Sequence, residues 1–334
     1  MSDVVQGQGL VGLTEIESAA KRLNGIIVPT PLIPADVLSE KVGAQVRLKC
    51  ENLQRTGSFK VRGAYNFVSQ LSDDQVANGI ITYSSGNHAQ AVALAGRLRK
   101  VRVVVVMPTD APKVKRDGAE RLGAEIVLEG TTSVERMHRA EMIAEDEGLV
   151  IVPPFDHRHI IAGQGTVGLE VARAWEDVDL VLAPIGGGGL ASGVAAAVKR
   201  ILPSAKVIGV EPEGAASMRG ALDNGAPVML SQVDTIADGL KPVIAGQLTF
   251  EHANDLLDDV VTVDDDAIRK AAAMLVHHHK LVVEFSGAAT AAALLSGRVK
   301  SKGGRVAAVI SGGNLGMPTE CETCPAAPFG ATRS

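Results

Sequence analysis

The sequence predicts an α/β protein built on two open, mainly parallel sheets with helices on both faces. Three observations predict it. Short β-branched runs alternate with Ala-rich stretches of helical period along most of the chain. Most of those runs are apolar throughout rather than alternating, the pattern of strands buried on both faces. The chain has 334 residues, more than one small core needs, so about two domains are expected.

The elements follow in order. The first strand-like runs are "GIITYSS" (79–85), "VRVVVVMP" (101–108), "AEIVLEG" (124–130) and "GLVIVPP" (148–154). Helical patterns separate them, as in "NHAQAVALAGRLRK" (87–100) and "SVERMHRAEMIAEDEG" (133–148). Strand-like runs resume at "VDLVLAPIGG" (178–187), "AKVIGVEP" (205–212), "DVVTV" (259–263) and "RVAAVISGG" (305–313). No fixed-period repeat and no obvious linker breaks the series. The expected division is a larger domain of residues 1–78 and 156–320, a smaller mobile domain of 79–155, and a tail, 321–334.

Composition narrows the function classes. The chain is 46% hydrophobic and 21% charged, as in ordinary globular proteins. Aromatics are only 3% while glycine is frequent, which fits close packing of helices on sheets. The net charge is −5 and no basic stripe is sustained, so no nucleic-acid partner is expected. "KVKR" (113–116) reads as a solvated helix face. The first residues, "MSDVVQGQGL", lack the basic and apolar regions of a signal peptide. The longest apolar strands are too short to span a membrane, so no membrane partner and a cytoplasmic location are expected. Three cysteines argue against a disulfide framework. Cys321 and Cys324 form a C-x-x-C in a Pro/Gly/Ala-rich tail, where neither a four-ligand zinc site nor a redox helix is in view.

Four motifs carry chemistry. In "GSFKVRGA" (57–64), Lys60 is either a surface lysine or a reactive amine. In "TYSSGNHAQAVALAG" (82–96), a strand runs into Ser84, Ser85, Gly86, Asn87 and His88 and then a helix. Hydroxyls, an amide and free N–H groups converge there, a nest suited to a carboxylate. In "IGGGGLASGVAAAVKR" (185–200), four glycines link a strand to a helix. Backbone can approach a phosphate closely there, and the helix start favours the negative charge. Gly186, Gly188 and Ala191 also satisfy the dinucleotide fingerprint, with Glu211 some twenty residues on, so the loop alone leaves a dinucleotide open. In "AVISGGNLG" (308–316), Ser311 ends a strand at the mouth of an open sheet.

Taken together, "TGSFKVRGA", "SSGNHAQA", "GGGGLASG" and "SGGN" resemble the fold-type II pyridoxal-phosphate enzymes, most closely the serine/threonine dehydratase and serine racemase branch. The resemblance covers about residues 25 to 316 and makes the larger domain the cofactor-binding one. It implies pyridoxal 5'-phosphate as cofactor, with Lys60 its Schiff-base lysine and Phe59 beside its ring. Asn87 would hydrogen-bond the ring oxygen, Gly186, Gly187, Gly188 and Gly189 with Leu190 would take the phosphate, and Ser311 would face the pyridine nitrogen. Ser84, Ser85, Asn87 and His88 would hold the substrate carboxylate, and Glu284 would lie nearby. Ser85 would face Lys60 across the substrate. The implied partner is a small amino-acid substrate, and a homodimer or homotetramer is expected.

The implied chemistry begins with removal of the α-proton by the freed Lys60 amine. A neutral Ser311 hydroxyl makes the ring a weaker electron sink than a carboxylate partner would. Rapid loss of a β-hydroxyl then fits better than transamination, giving a 2-oxo acid and ammonia from a substrate such as threonine or serine. Racemisation of serine, with Ser85 as the opposing acid, is the alternative, as is dehydration of 3-hydroxyaspartate or phenylserine.

Three stretches depart from the family pattern. Metal-dependent members carry two carboxylates in one loop, whereas "EPEGAAS" offers Glu211, Ala215 and Ser217, so a divalent metal is not expected and a monovalent ion or no ion is. In "VVEFSGAA" (282–289), Phe285 stands where proline is usual, and an altered pocket wall is expected. The histidines of "HHHK" (277–280) point in different directions on a helix and read as structural. The short stretch after Ser311 leaves no room for a C-terminal regulatory domain, so end-product feedback is not expected.

Overall fold

The structure is a computed structural model that describes residues 9–84, 86–111 and 113–316. Its strands are β1 (Leu32–Pro34), β2 (Gln45–Cys50), β3 (Ile80–Tyr83), β4 (Val103–Met107), β5 (Glu125–Leu128), β6 (Val150–Ile151), β7 (Leu180–Pro184), β8 (Lys206–Pro212), β9 (Asp259–Val263) and β10 (Arg305–Ile310). The helices that precede residue 150 are α1 (Leu13–Leu23), α2 (Asp36–Val42), α3 (Lys60–Val68), α4 (Asn87–Arg99), α5 (Lys113–Arg121) and α6 (Ser133–Glu147). Those that follow are α7 (Arg158–Ala174), α8 (Gly189–Ile201), α9 (Ser217–Asn224), α10 (Gln247–Leu256), α11 (Asp265–His279) and α12 (Phe285–Leu295).

Two sheets form, as the alternation of elements predicts. A six-stranded sheet runs in the order β1-β2-β10-β7-β8-β9. Only β1, paired antiparallel to β2 with Leu32 opposite Lys49, departs from parallel pairing in it. A four-stranded parallel sheet runs β5-β4-β3-β6. β6 is shorter than its apolar run because Pro153 and Pro154 follow Val152. Proline has no N–H to donate, so pairing stops there.

Small side chains set the spacing of the central helices. α8 is buried along nearly its whole length, and α7 packs across it. A Cβ on Gly193 would press against the Ile161 carbonyl and sit 2.5 Å from the Gly165 amide nitrogen, so only glycine permits this approach. The apolar cores lie on either side of the larger sheet and around the smaller one. Val61, Ala64, Phe67 and Val68 of α3 pack with Ile80 of β3 and Val92 of α4. The helix that starts at Lys60 is thereby anchored to the smaller sheet.

Candidate active site

Three strands, each paired in parallel within its own sheet, end at one cleft. β3 leads to Ser84, Gly86 and Asn87, β7 to the four glycines, and β10 to Ser311. With Lys60 they line one pocket of about 280 Å³.

Lys60 arrives from a strained turn. Thr56 adopts φ 61°, unusual for a residue with a Cβ, and its carbonyl accepts from Asn314 Nδ2 at 2.7 Å. The same segment pairs with the last motif. Phe59 N–H donates to the Ser311 carbonyl at 3.1 Å, and Gly313 N–H donates to the Gly57 carbonyl at 2.9 Å. The Lys60 ammonium donates to the Pro154 carbonyl at 2.7 Å and lies 5.4 Å from the centroid of the Phe59 ring. Burial pushes its pKa down to about 8.

Behind it sits a buried ion cluster that no sequence motif flags. Arg62 donates from Nε and Nη2 to Glu51, both at 2.8 Å, and from Nη1 and Nη2 to Glu170 at 2.6 and 2.9 Å. Lys49 joins through Glu170 at 2.5 Å. These bonds tie the first turn of α3 to β2 and α7.

The glycine loop fits an anion. Gly188 adopts φ +98°, and a Cβ there would meet Thr249 Cβ at 2.7 Å. A Cβ on Gly187 would collide with the Phe155 ring. Gly189 begins α8, whose first N–H groups face the loop. Beside it the Gln164 amide is buried with neither atom partnered, a free polar group at the same place.

Ser84 lines the pocket, and its Oγ accepts from Gly86 N–H at 3.2 Å. Ser85 lies outside the described residues. Asn87 Nδ2 donates to Glu284 Oε1 at 2.5 Å. Glu284 is buried, which pushes its pKa up to about 7 against the pull of Lys115. His88 also lines the pocket, with Nε2 donating to the Val152 carbonyl at 3.2 Å. Burial, together with the Lys60 charge, pushes it down to about 3, so its ring is neutral.

Two expectations are corrected. "KVKR" is not a fully solvated face, because Lys115 is 4% exposed and lines the pocket. It pairs with Asp238 and lies 3.9 Å from Glu284. The signal was present: Lys115, Gly118, Ala119 and Leu122 follow the spacing of one buried helix face. Phe285 is not among the residues that line the pocket. It opens α12, the first helical position, where proline is favoured, and packs into the core.

The other motifs fall away from this cleft. Glu211 accepts from the Met218 and Arg219 N–H groups, each at 2.8 Å, and so caps α9, which begins at Ser217. His277, His278 and His279 occupy the last turn of α11. Cys321 and Cys324 lie outside the described residues.

A family model described as "Pyridoxal-phosphate dependent enzyme" matches residues 23–312. The chain belongs to the pyridoxal-phosphate dependent enzymes. Its cofactor is pyridoxal 5'-phosphate, and the dinucleotide reading of the glycine loop is set aside. The chain is 42% identical to L-threonine ammonia-lyase of Thermotoga maritima over 92% of this chain and 76% of that one. It is 44% identical to threonine dehydratase of Nicotiana attenuata over 74% of its own length, but spans only 41% of that longer protein. Among solved structures, maize serine racemase superposes with a TM-score of 0.89 at 37% identity, over 92% of this chain and 95% of that one. The fold is therefore that of the fold-type II pyridoxal-phosphate enzymes, and the pocket fits the cofactor. A buried amine of lowered pKa, a glycine-lined helix start and a neutral serine line the same space.

Among the described residues, no helix is long and apolar enough to cross a membrane. No cluster of three or more potential metal ligands occurs among them.

Proposed function

We propose that this pyridoxal-phosphate enzyme is an ammonia-lyase that converts a β-hydroxy-α-amino acid, such as threonine or serine, to a 2-oxo acid and ammonia. The carrying observation is the Lys60 amine, lowered to about 8 by burial, in one pocket with the neutral Ser311 hydroxyl. The activity named for the Thermotoga maritima relative supports the same reading.

Lys60 would bond the cofactor carbonyl, Gly186, Gly187, Gly188, Gly189 and Leu190 would hold its phosphate, and Phe59, Asn87 and Ser311 would border its ring. When bound, pyridoxal phosphate supplies the conjugated electron sink that acidifies the α-hydrogen of an amino acid. Ser84, Ser85, Asn87 and His88 hold the substrate carboxylate at the start of α4. The neutral Lys60 amine takes the α-proton. The C–H electron pair becomes the Cα–Cβ double bond as the β-hydroxyl leaves as water, carrying the proton that Lys60 took. Glu284 orients Asn87 through the bond at 2.5 Å. The released enamine tautomerises to an imine, and water adds to its carbon as ammonia departs. The net products are one 2-oxo acid and one ammonia.

Motion, assembly and location complete the reading. Residues 79–155 carry the carboxylate loop and close over substrate, excluding water. Lys115 and Asp238, from the two sides of the cleft, pair at its mouth. The protein works as a cytoplasmic homodimer or homotetramer.

The test is 2-oxo acid release from serine, threonine, 3-hydroxyaspartate and phenylserine. The likeness to maize serine racemase favours one second reading, racemisation at the same site. Fast conversion of L- to D-serine without oxo acid would establish it instead.

A further inference from the structure

Among the described residues, four lysine or arginine side chains are buried: Lys49, Arg62, Lys115 and Arg136, at 2, 0, 4 and 8% exposure. Three have a carboxylate in contact. Lys49 meets Glu170 at 2.5 Å, Arg62 meets Glu51 and Glu170, and Lys115 meets Asp238. Arg136 has none among the described residues. Its Nη1 donates to the Thr131 carbonyl at 3.1 Å, and its buried Nε has no partner. Glu135, next to it, turns the other way and accepts at Oε2 from the Thr131 and Thr132 N–H groups and the Thr132 hydroxyl. Asp110 and Glu135 act on Arg136 only from beyond contact distance, and burial still pulls its pKa down. A buried guanidinium with no carboxylate in contact is costly, and the other three buried cations show how this fold normally avoids it.

Arg136 lines the active-site pocket on the α6 wall, with Tyr83, Val134 and Met137. Two anions of the proposed reaction already have their places. The glycine loop takes the phosphate, and the start of α4 takes the α-carboxylate. Arg136 remains for a third. Lys241 at the pocket rim adds positive charge on the way in.

We infer that Arg136 is a specificity residue that pairs with a carboxylate on the substrate side chain, so that the site prefers an acidic β-hydroxy amino acid, 3-hydroxyaspartate being the smallest. This rests on the ammonia-lyase reading and narrows its substrate class. The guanidinium fork matches a carboxylate with two parallel bonds. The stoichiometry is unchanged. 3-Hydroxyaspartate loses the elements of water, regains them at the imine carbon, and leaves as oxaloacetate and ammonia.

The experiment uses the holoenzyme, Arg136→Gln and Arg136→Lys. We expect kcat/KM for L-threo-3-hydroxyaspartate to exceed that for serine by about 10-fold or more in the unmutated protein. Arg136→Gln should lower it by about 100-fold, mainly through KM, and change serine and threonine by less than about 3-fold. Arg136→Lys should recover part of the loss. A second readout needs no turnover. Succinate should raise the melting temperature of the unmutated holoenzyme more than propionate does, and Arg136→Gln should erase that difference. A parallel loss on serine and 3-hydroxyaspartate would overturn the inference and assign Arg136 to the α-carboxylate. A fall in cofactor affinity would assign it to the phosphate. Preference for phenylserine would overturn it in favour of the apolar wall. If no amino acid releases oxo acid from cofactor-loaded protein, the ammonia-lyase reading fails, and the succinate comparison still decides the role of Arg136.

Discussion

Asn87 Nδ2 donates to the buried Glu284 carboxylate at 2.5 Å, across 197 residues of chain. The other end of the same amide, Oδ1, accepts from Asn314 Nδ2 at 2.8 Å. The orientation of Asn87 is thus set by two partners from other motifs. Only the ionised or carbonyl oxygens of Glu284 serve as acceptor here, so its titration bears on the site.

Glu284 makes stability depend on pH. Burial raises its pKa to about 7, against 4.5 for an ordinary glutamate. A carboxyl with a raised folded pKa gives stability that is full below the unfolded value and lost as pH rises through the folded one. Glu284→Gln removes that titration and keeps an acceptor for Asn87. The variant should gain on the unmutated protein by roughly 2 kcal/mol between about pH 5 and 7.5. Urea unfolding at several pH values measures it, and a constant difference would count against the shift.

Lys60 should titrate near pH 8 in cofactor-free protein, against 10.5 for an ordinary lysine. Here the folded pKa is depressed, so burial of the ammonium destabilises fully below about pH 8 and ceases to do so above 10.5. Trace acetylation across this range, followed by peptide mapping, reads the value directly. Borohydride reduction of the holoenzyme should label the same residue, and a label on another lysine would sink the assignment.

Gly188→Ala should weaken cofactor binding and destabilise the protein by about 1–3 kcal/mol, because alanine is strained at a positive φ. Gly220 is the control. It lies within α9, and a methyl group there would have open space for 4 Å around it, so alanine should stabilise by about 0.5–1 kcal/mol. Thermal unfolding and cofactor titration of the two variants should move in opposite directions for stability and separate for affinity.

Arg62→Met should cost about 3–5 kcal/mol, since it leaves Glu51 fully buried beside a lost guanidinium. Arg62→Lys should recover only part, because an ammonium cannot reproduce the two-sided fork. Denaturant midpoints distinguish the three proteins. Equal stability of all three would show the cluster to be energetically neutral.

Activity should survive chelation. Both Glu211 oxygens already accept backbone N–H groups at 2.8 Å, and Ser217 supplies no second carboxylate. We expect little change after EDTA and little gain from Mg²⁺, with Ser217→Asp creating metal dependence. A large Mg²⁺-reversible loss in the unmutated protein would place Glu211 among cation ligands.

The fold class and most of the site were legible in the chain before any contact was known. Strand period, Ala-rich helices and glycines at strand ends are local signals, because they reflect backbone geometry within a few residues. They marked the glycine loop and the strand ends, whereas the roles expected of Lys60, Ser84, Asn87 and Ser311 came from the joint resemblance of four motifs to a known family. Features that depend on distant partners emerged only with packing. Lys115 looked solvated because its counter-ion, Asp238, lies 123 residues away. Arg62 carried no signal in the sequence, because Glu51 and Glu170 close around it from different elements. Phe285 looked like a pocket wall, but the direction of α12 turns it into the core. Whether a charge is buried, paired or, like Arg136, without a contacting carboxylate among the described residues is a property of packing. A chain order of residues carries no record of it until the two sheets bring the partners together.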